Sequence, residues 1–330
     1  MADAKMIKLP PEILITIFAN LLRSDLISVS LISWKHRYLS LPYLFHTLNV
    51  NSTISGLQCL ESVSKSILSK YMKTLCYEAS ELINPCIQHF DYFETCIYTP
   101  SEFLRDQKDL FWSNQQETVT YTSIHSYFNC LSKEQQNILD TREDLNVFCS
   151  SIPRFSSLHS VHITFIGGVN NRYLWFAPRV FADWSYSFLI HLETIIEAMI
   201  VAKENDILVR CFQISGFYAR LRACGGALRD KIADGLSNVE TLCLDDSPNL
   251  IDFMSNIDLP ALRRFELGRC WITCADIQKV LNAHSQIQCV QLSKIWFPER
   301  LRFELSALGH IQGEYHDQRA EENITIIVDR

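Results

Sequence analysis

Positive charge is the first thing this chain lacks: 30 Lys and Arg stand against 37 Asp and Glu, a formal net charge of −7 over 330 residues. That argues against nucleic acid as the main partner, because phosphate backbones are bound by Lys and Arg neutralisation. Long Pro, Ser or Gly tracts and single-sign charge runs are missing, and the charged fraction is 20%, so the chain does not read as disordered. No stretch reaches the roughly eighteen uninterrupted apolar residues of a membrane span. The polar segment Met1–Lys8 has no apolar core of a signal peptide. The twelve Cys, about 4% of the chain, fall below the roughly 8–10% of disulfide scaffolds. Reduced thiols in a cytoplasmic or nuclear protein, with no membrane partner, are the expectation. The sequons at Asn51 and Asn323 would then stay unused.

Framed catalytic motifs are also missing. There is no Gly-x-Gly-x-x-Gly, Walker loop, His-Glu-x-x-His or Gly-x-Ser-x-Gly. His191-Leu-Glu193 lacks the Pro-Cys-x-x-Cys that a zinc deaminase needs. Cys270, Cys274, His284 and Cys289 form the most suggestive metal set. A helix from 274 to 284 spans about 15 Å, however, too far for two of four ligands within about 2.3 Å of one zinc. The acidic pairs Asp245-Asp246 and Glu321-Glu322 suit solvated loops. No catalytic residue, cofactor or metal is therefore expected.

What is present begins at the N-terminus. Leu9-Pro10-Pro11-Glu12-Ile13-Leu14 opens a helix, with Pro11 at its first position and Glu12 in its first turn. Ile13, Ile17 and Leu21, flanked by Leu14, Phe18 and Leu22, make a stripe too wide for one packing partner. Ser24 or Asp25 is expected to cap a second helix carrying Leu26, Val29 and Ile32, with Trp34 in its final stretch, and Pro42 to interrupt the next segment. Short helices cannot bury so many large side chains among themselves. The surplus goes against the rest of the chain or against another protein.

These residues resemble an F-box: Leu-Pro-Pro-Glu-Ile-Leu, a turn ending Leu21-Leu22, then Asp25-Leu26, Ser30-Leu31-Ile32-Ser33 and Trp34. Leu41-Pro42-Tyr43-Leu44-Phe45 is similar to an extension common in fungal F-box proteins. The resemblance implies three helices that dock on a Skp-type adaptor, which links to a cullin and a RING protein. It places the adaptor-facing positions at Leu9, Pro10, Ile13, Leu14, Ile17, Leu21, Leu26 and Leu31.

Farther along, one apolar pattern recurs, as Leu236/Val239/Leu242/Leu244, Leu259/Leu262/Phe265/Leu267 and His284/Ile287/Val290/Leu292. Its steps of 23 and 25 residues lie in the range of leucine-rich repeats. Phe155/Leu158/Val161/Ile163 repeats the spacing upstream, and Leu68/Tyr71/Leu75/Tyr77 loosely so. Helical stretches intervene: Ser132–Gln135 and Thr273–Asp276 read as capping boxes, and 191–204 and 217–234 as helices. Residues 236–295 resemble a degenerate leucine-rich-repeat solenoid, with Cys270 at the family's Asn/Cys position but Ser247 and Ile295 in its neighbours. A non-repeating α/β domain is the alternative.

The expected fold is α/β: a three-helix F-box over 1–50, then an irregular leucine-rich-repeat-like solenoid with parallel strands over 51–330. The resemblances imply a non-catalytic, substrate-recognition subunit of an SCF-type ubiquitin ligase. Glu240, Arg263, Glu266, Arg269 and Gln291 are the candidate contacts to an unidentified target protein. The alternatives are an adaptor-binding scaffold without degradative role and an enzyme with an unrecognised site in 80–235.

Overall fold

The computed structural model describes residues 9–110, 119–182, 184–218, 226–270, 272–295, 310–312 and 322–327. Three short helices come first, α1 (Pro11–Phe18), α2 (Arg23–Ser30) and α3 (Trp34–Leu44). Pro11 starts α1, where its missing N–H costs nothing. Three expectations fail here. No side chain caps α2, which begins at Arg23, and Trp34 opens α3 instead of closing α2. The Ser33 side chain decides the second point by accepting the His36 N–H at 3.3 Å, which nucleates a new helix. Pro42 does not interrupt this segment: it lies in the last turn of α3. Leu14, Phe18 and Leu26 form a small core beneath these helices, with Leu21, Val29, Leu39, Tyr43 and Leu44 against it.

A sheet follows whose first seven strands lie side by side in chain order. β1 (Thr47–Asn51), β2 (Thr74–Ser80), β3 (Ser160–Ile166), β4 (Cys211–Ser215), β5 (Thr241–Asp245), β6 (Arg264–Gly268) and β7 (Cys289–Ile295) are parallel neighbours. β8 (His310–Gln312) and β9 (Glu322–Ile327) close the far end antiparallel, in the order β7-β9-β8. The sheet thus starts before residue 51, at Thr47.

Register explains the ordering. Leu48, Leu75, Val161, Phe212, Leu242, Phe265 and Val290 are successive partners across the seven strands. Val50, Tyr77, Ile163, Ile214, Leu244, Leu267 and Leu292 form the next such ladder, and every member of both is buried. Because alternate strand residues face opposite sides, a one-residue slip would turn a whole ladder outward.

The crossovers carry α4 (Ile54–Ser64), a short α5 (Phe90–Tyr92), α6 (Pro100–Leu110), α7 (Tyr121–Thr141), α8 (Glu143–Ser151), α9 (Trp184–Glu204), α10 (Gly226–Gly235), α11 (Ile251–Met254) and α12 (Cys274–Ala283). α4 packs on α8, α8 on α9 and α9 on α10, and their apolar residues join the ladders in one core. The Thr273–Asp276 capping box starts α12 as expected. Ser132–Gln135 does not start a helix: it lies inside α7, whose cap is Thr120 with Ser123. Ser132 is buried there and accepts from Gln88 Nε2 at 3.1 Å. The helix expected over 217–234 begins at Gly226; residues 219–225 lie outside the described residues. The crossovers from β2 to β3 and from β3 to β4 together build a second, aromatic core from Phe93, Tyr98 and Phe128 of the first and Tyr173 and Phe176 of the second, among others.

Candidate functional site

The N-terminal helices bury little and expose much. Leu22, Leu31 and Trp34 are 73%, 74% and 82% exposed, and Ile13, Ile17, Ile27, Ile32 and Tyr38 are also open. Of the positions singled out by sequence, Leu9, Pro10, Ile13, Ile17 and Leu31 are exposed and Leu21 is half-buried. Leu14 and Leu26 are buried, so in this conformation they hold the helices together. Burying an exposed Leu, Ile or Phe fully is worth about 1.5–3 kcal/mol, so several together suffice for a stable contact. So many large apolar side chains left open on three short helices are a candidate interaction surface.

On the sheet, residues alternating with the ladders form two rows. One runs Thr47, Thr74, Ser160, Cys211, Thr241, Arg264, Cys289, and the other Asn49, Cys76, His162, Gln213, Cys243, Glu266, Gln291. This face is polar. Arg264 donates to both Glu266 and Gln291, joining β6 to β7. Burial raises the pKa of the Cys76 thiol and pushes that of Cys243 up to about 12, which keeps these two protonated. Cys76 Sγ lies 3.7 Å from His162 Nδ1, and burial lowers the His162 pKa.

The proposed target-contact residues separate into three places. Glu266 and Gln291 lie on the polar face. Glu240 and Arg263 precede β5 and β6 at the leading edge of the sheet, and Glu240 meets Arg210 at 3.2 Å. Arg269 sits at the trailing edge in a left-handed conformation, φ 49°, and its guanidinium grips the Asp245 carboxylate through both nitrogens. Gly268 makes room for this pair, because a Cβ there would lie 2.5 Å from Asp245 Oδ1. Arg264 was missed by the sequence reading; its position one residue before the buried Phe265 was the available signal.

Two members of the suggestive metal set, Cys270 and His284, make structural bonds, and the Cys274 side chain lies outside the described residues. Cys270 Sγ accepts the buried Ser247 N–H at 3.4 Å, while Ser247 Oγ accepts the Phe217 N–H at 3.0 Å. Ser247 thus bonds loop backbone as Cys270 does, while Ile295 has no polar side chain to do so. Burial pushes the Cys270 thiol up to about 11. His284 Nε2 donates to the Met254 carbonyl at 3.0 Å. Among the described residues no three His, Cys, Asp or Glu groups converge as a metal site.

Beneath the sheet, between β2, α8 and α9, lies a buried polar network. His191 Nε2 donates to the Ser80 carbonyl at 3.1 Å, which leaves Nδ1 to accept from the Tyr77 hydroxyl at 2.8 Å. Burial lowers the His191 pKa against the opposing pull of Asp144, and burial and then Asp144 raise that of Tyr77. Thr194 Oγ1 and the Leu145 N–H donate to the Asp144 carboxylate at 3.2 and 2.8 Å. The adjoining cavity, lined by Leu57, Tyr77, Ile138 and His191, measures about 10 Å³, against about 300–1,000 Å³ for ligand pockets. It is a packing defect beside a network that pins α9 to the sheet. Nearby, Glu81 is buried with Oε2 lacking a hydrogen-bond partner among the described residues, and burial lifts its pKa to about 7.

Comparison with known families finds a match at the N-terminus. Residues 6–51, 46 of the 330, match the family model described as F-box-like. The match covers the three helices and β1. No curated protein matches the chain.

Proposed function

We propose that this chain is the substrate-recognition subunit of an SCF-type cullin–RING ubiquitin ligase. An F-box-like segment implies binding to a Skp-type adaptor. The observation that supports it here is the apolar surface at Leu9, Ile13, Ile17 and Leu31, continued by Leu22 and Trp34, on helices whose own core holds Leu14, Phe18 and Leu26. Pro10 and the half-buried Leu21 border this surface. Residues 51–330 serve as the scaffold that binds the target protein, with Glu240, Arg263, Glu266, Arg269 and Gln291 as contacts. Seven parallel strands in one continuous sheet fit that role, because they hold a broad polar face rigid.

The mechanism is positional. The scaffold holds a target close to the ubiquitin-charged enzyme, raising its effective concentration near the acceptor lysine. Other subunits make the bonds, and no cofactor is needed. Such a ligase would work in the cytoplasm or nucleus; among the described residues no helix is long and apolar enough to cross a membrane.

The test is co-purification of adaptor, cullin and RING protein with the intact chain, followed by ubiquitin transfer to co-purified proteins. The double variant Ile13→Asp, Ile17→Asp should lose all three partners, since each Asp would carry an unpaired carboxylate into an apolar contact. Retention of the three partners at the wild-type level would overturn the assignment.

A further inference from the structure

The residue just before each parallel strand occupies a repeating backbone position. The Lys73 carbonyl accepts the N–H groups of both His159 and Ser160 at 3.1 Å, and the Glu240 carbonyl accepts those of Arg263 and Arg264 at 2.9 Å. The same double bond recurs from His46 to Lys73 and Thr74, from His159 to Arg210 and Cys211, and from Arg210 to Glu240 and Thr241. Identical local geometry sends the side chains out in one row. His46, Lys73, His159, Arg210, Glu240 and Arg263 thus form a rim along the leading edge of β1–β6. The Arg210–Glu240 contact at 3.2 Å shows that neighbours in the row reach each other.

This rim runs against the charge of the rest of the chain. It holds three fixed cations, two histidines and one carboxylate, in a chain of net charge −7. Lys73, His159 and Arg263 are exposed, and among the described residues none of them has a carboxylate partner. Fixed cations recur at every second strand: Lys73 before β2, Arg210 before β4 and Arg263 before β6. Two strand spacings are about 9.6 Å, and three residues of a segment in the extended polyproline II conformation, which puts every third side chain on one face, rise about 9.3 Å.

We propose that this rim docks an extended acidic segment of a partner protein, with a carboxylate at every third residue. The segment crosses the strand starts and sets one carboxylate against each of Lys73, Arg210 and Arg263. His159 fills the interval between the first two, and Glu240 rejects an acid between the last two, which favours the three-residue period over a continuous acidic run. A nucleic acid is the other polyanion such a rim could attract, and the surplus of acids elsewhere on the chain disfavours it. The proposal rests on reading the sheet as a protein-binding scaffold.

The test uses the intact chain and three fluorescent probes. These are a nonapeptide with Glu at its first, fourth and seventh positions, one of the same composition with the three Glu adjacent, and an oligothymidylate. The spaced peptide should bind about fivefold tighter than the clustered one, and the double variant Lys73→Glu, Arg263→Glu should weaken it about tenfold or more, the gain shrinking in high salt. Equal affinity for both peptides, or undiminished affinity in the variant, overturns the proposal. So does an oligothymidylate that binds as tightly as the spaced peptide. Adaptor capture is measured alongside. Peptide discrimination without adaptor capture refutes the ligase assignment and leaves the rim standing, whereas adaptor capture without peptide discrimination does the reverse.

Discussion

Glu81→Gln is a sharp test of how the aromatic insertion meets the sheet. Glu81 follows β2, the residue is 7% exposed, Oε2 has no hydrogen-bond partner among the described residues, and burial lifts its pKa from 4.5 to about 7. The folded chain therefore holds a proton that the unfolded chain releases near pH 4.5. Stability contributed by this group is full below that value and is lost as pH rises toward 7. A shift of about 2.5 units corresponds to about 3.4 kcal/mol, of which about 2–3 kcal/mol falls between pH 5 and pH 8. Gln mimics the neutral acid and does not titrate. Urea denaturation of both proteins at pH 5 and pH 8, followed by circular dichroism, isolates the effect, because other titrating groups are common to both. The variant should match wild type at pH 5 to within about 1 kcal/mol and exceed it at pH 8 by about 2–3 kcal/mol. A difference that does not change with pH, or that favours wild type at pH 8, would refute the buried, unpartnered carboxyl.

Two further expectations concern the sheet. Leu267→Ala, at a fully buried rung between Leu244 and Leu292, should cost about 2–5 kcal/mol by cavity formation, read as a lower denaturation midpoint. Ser247→Ala should cost about 1–3 kcal/mol, because the Phe217 N–H loses its buried acceptor, and hydrogen exchange should accelerate at that amide.

Much of this architecture was legible because the repeat is a burial pattern. Leu242/Leu244, Phe265/Leu267 and Val290/Leu292 sit in the register that the recurring spacing implied. β1, β4, β8 and β9 escaped notice, the first two for identifiable reasons. The pattern over Asp206/Val209/Phe212/Ile214 opens with a polar residue, which left β4 without an assignment between two expected helices. Pro42/Phe45/Leu48/Val50 has the same spacing, but Pro42 and Phe45 read as part of the N-terminal helical unit and hid β1. The insertion between β2 and β3 was unreadable because its core is aromatic and is completed from the next crossover, Phe93 and Tyr98 with Tyr173 and Phe176. For the candidate site, sequence named the right apolar helices but could not tell inward from outward on them. Leu14 and Ile13 are adjacent, and only packing against Leu26 shows that Leu14 is the inner one.

The central claim is that the exposed apolar face of the N-terminal helices binds a Skp-type adaptor. Titration calorimetry of the intact chain with a purified adaptor tests it most directly, using wild type and Ile13→Asp, Leu31→Asp. Both substituted residues are exposed, so the variant should keep the wild-type circular dichroism spectrum and unfolding midpoint. The account predicts saturable one-to-one binding by wild type and a loss of about 3 kcal/mol or more in the variant, beyond a hundredfold in Kd. Equal affinity of the two proteins, or no binding by a folded wild type, would contradict it.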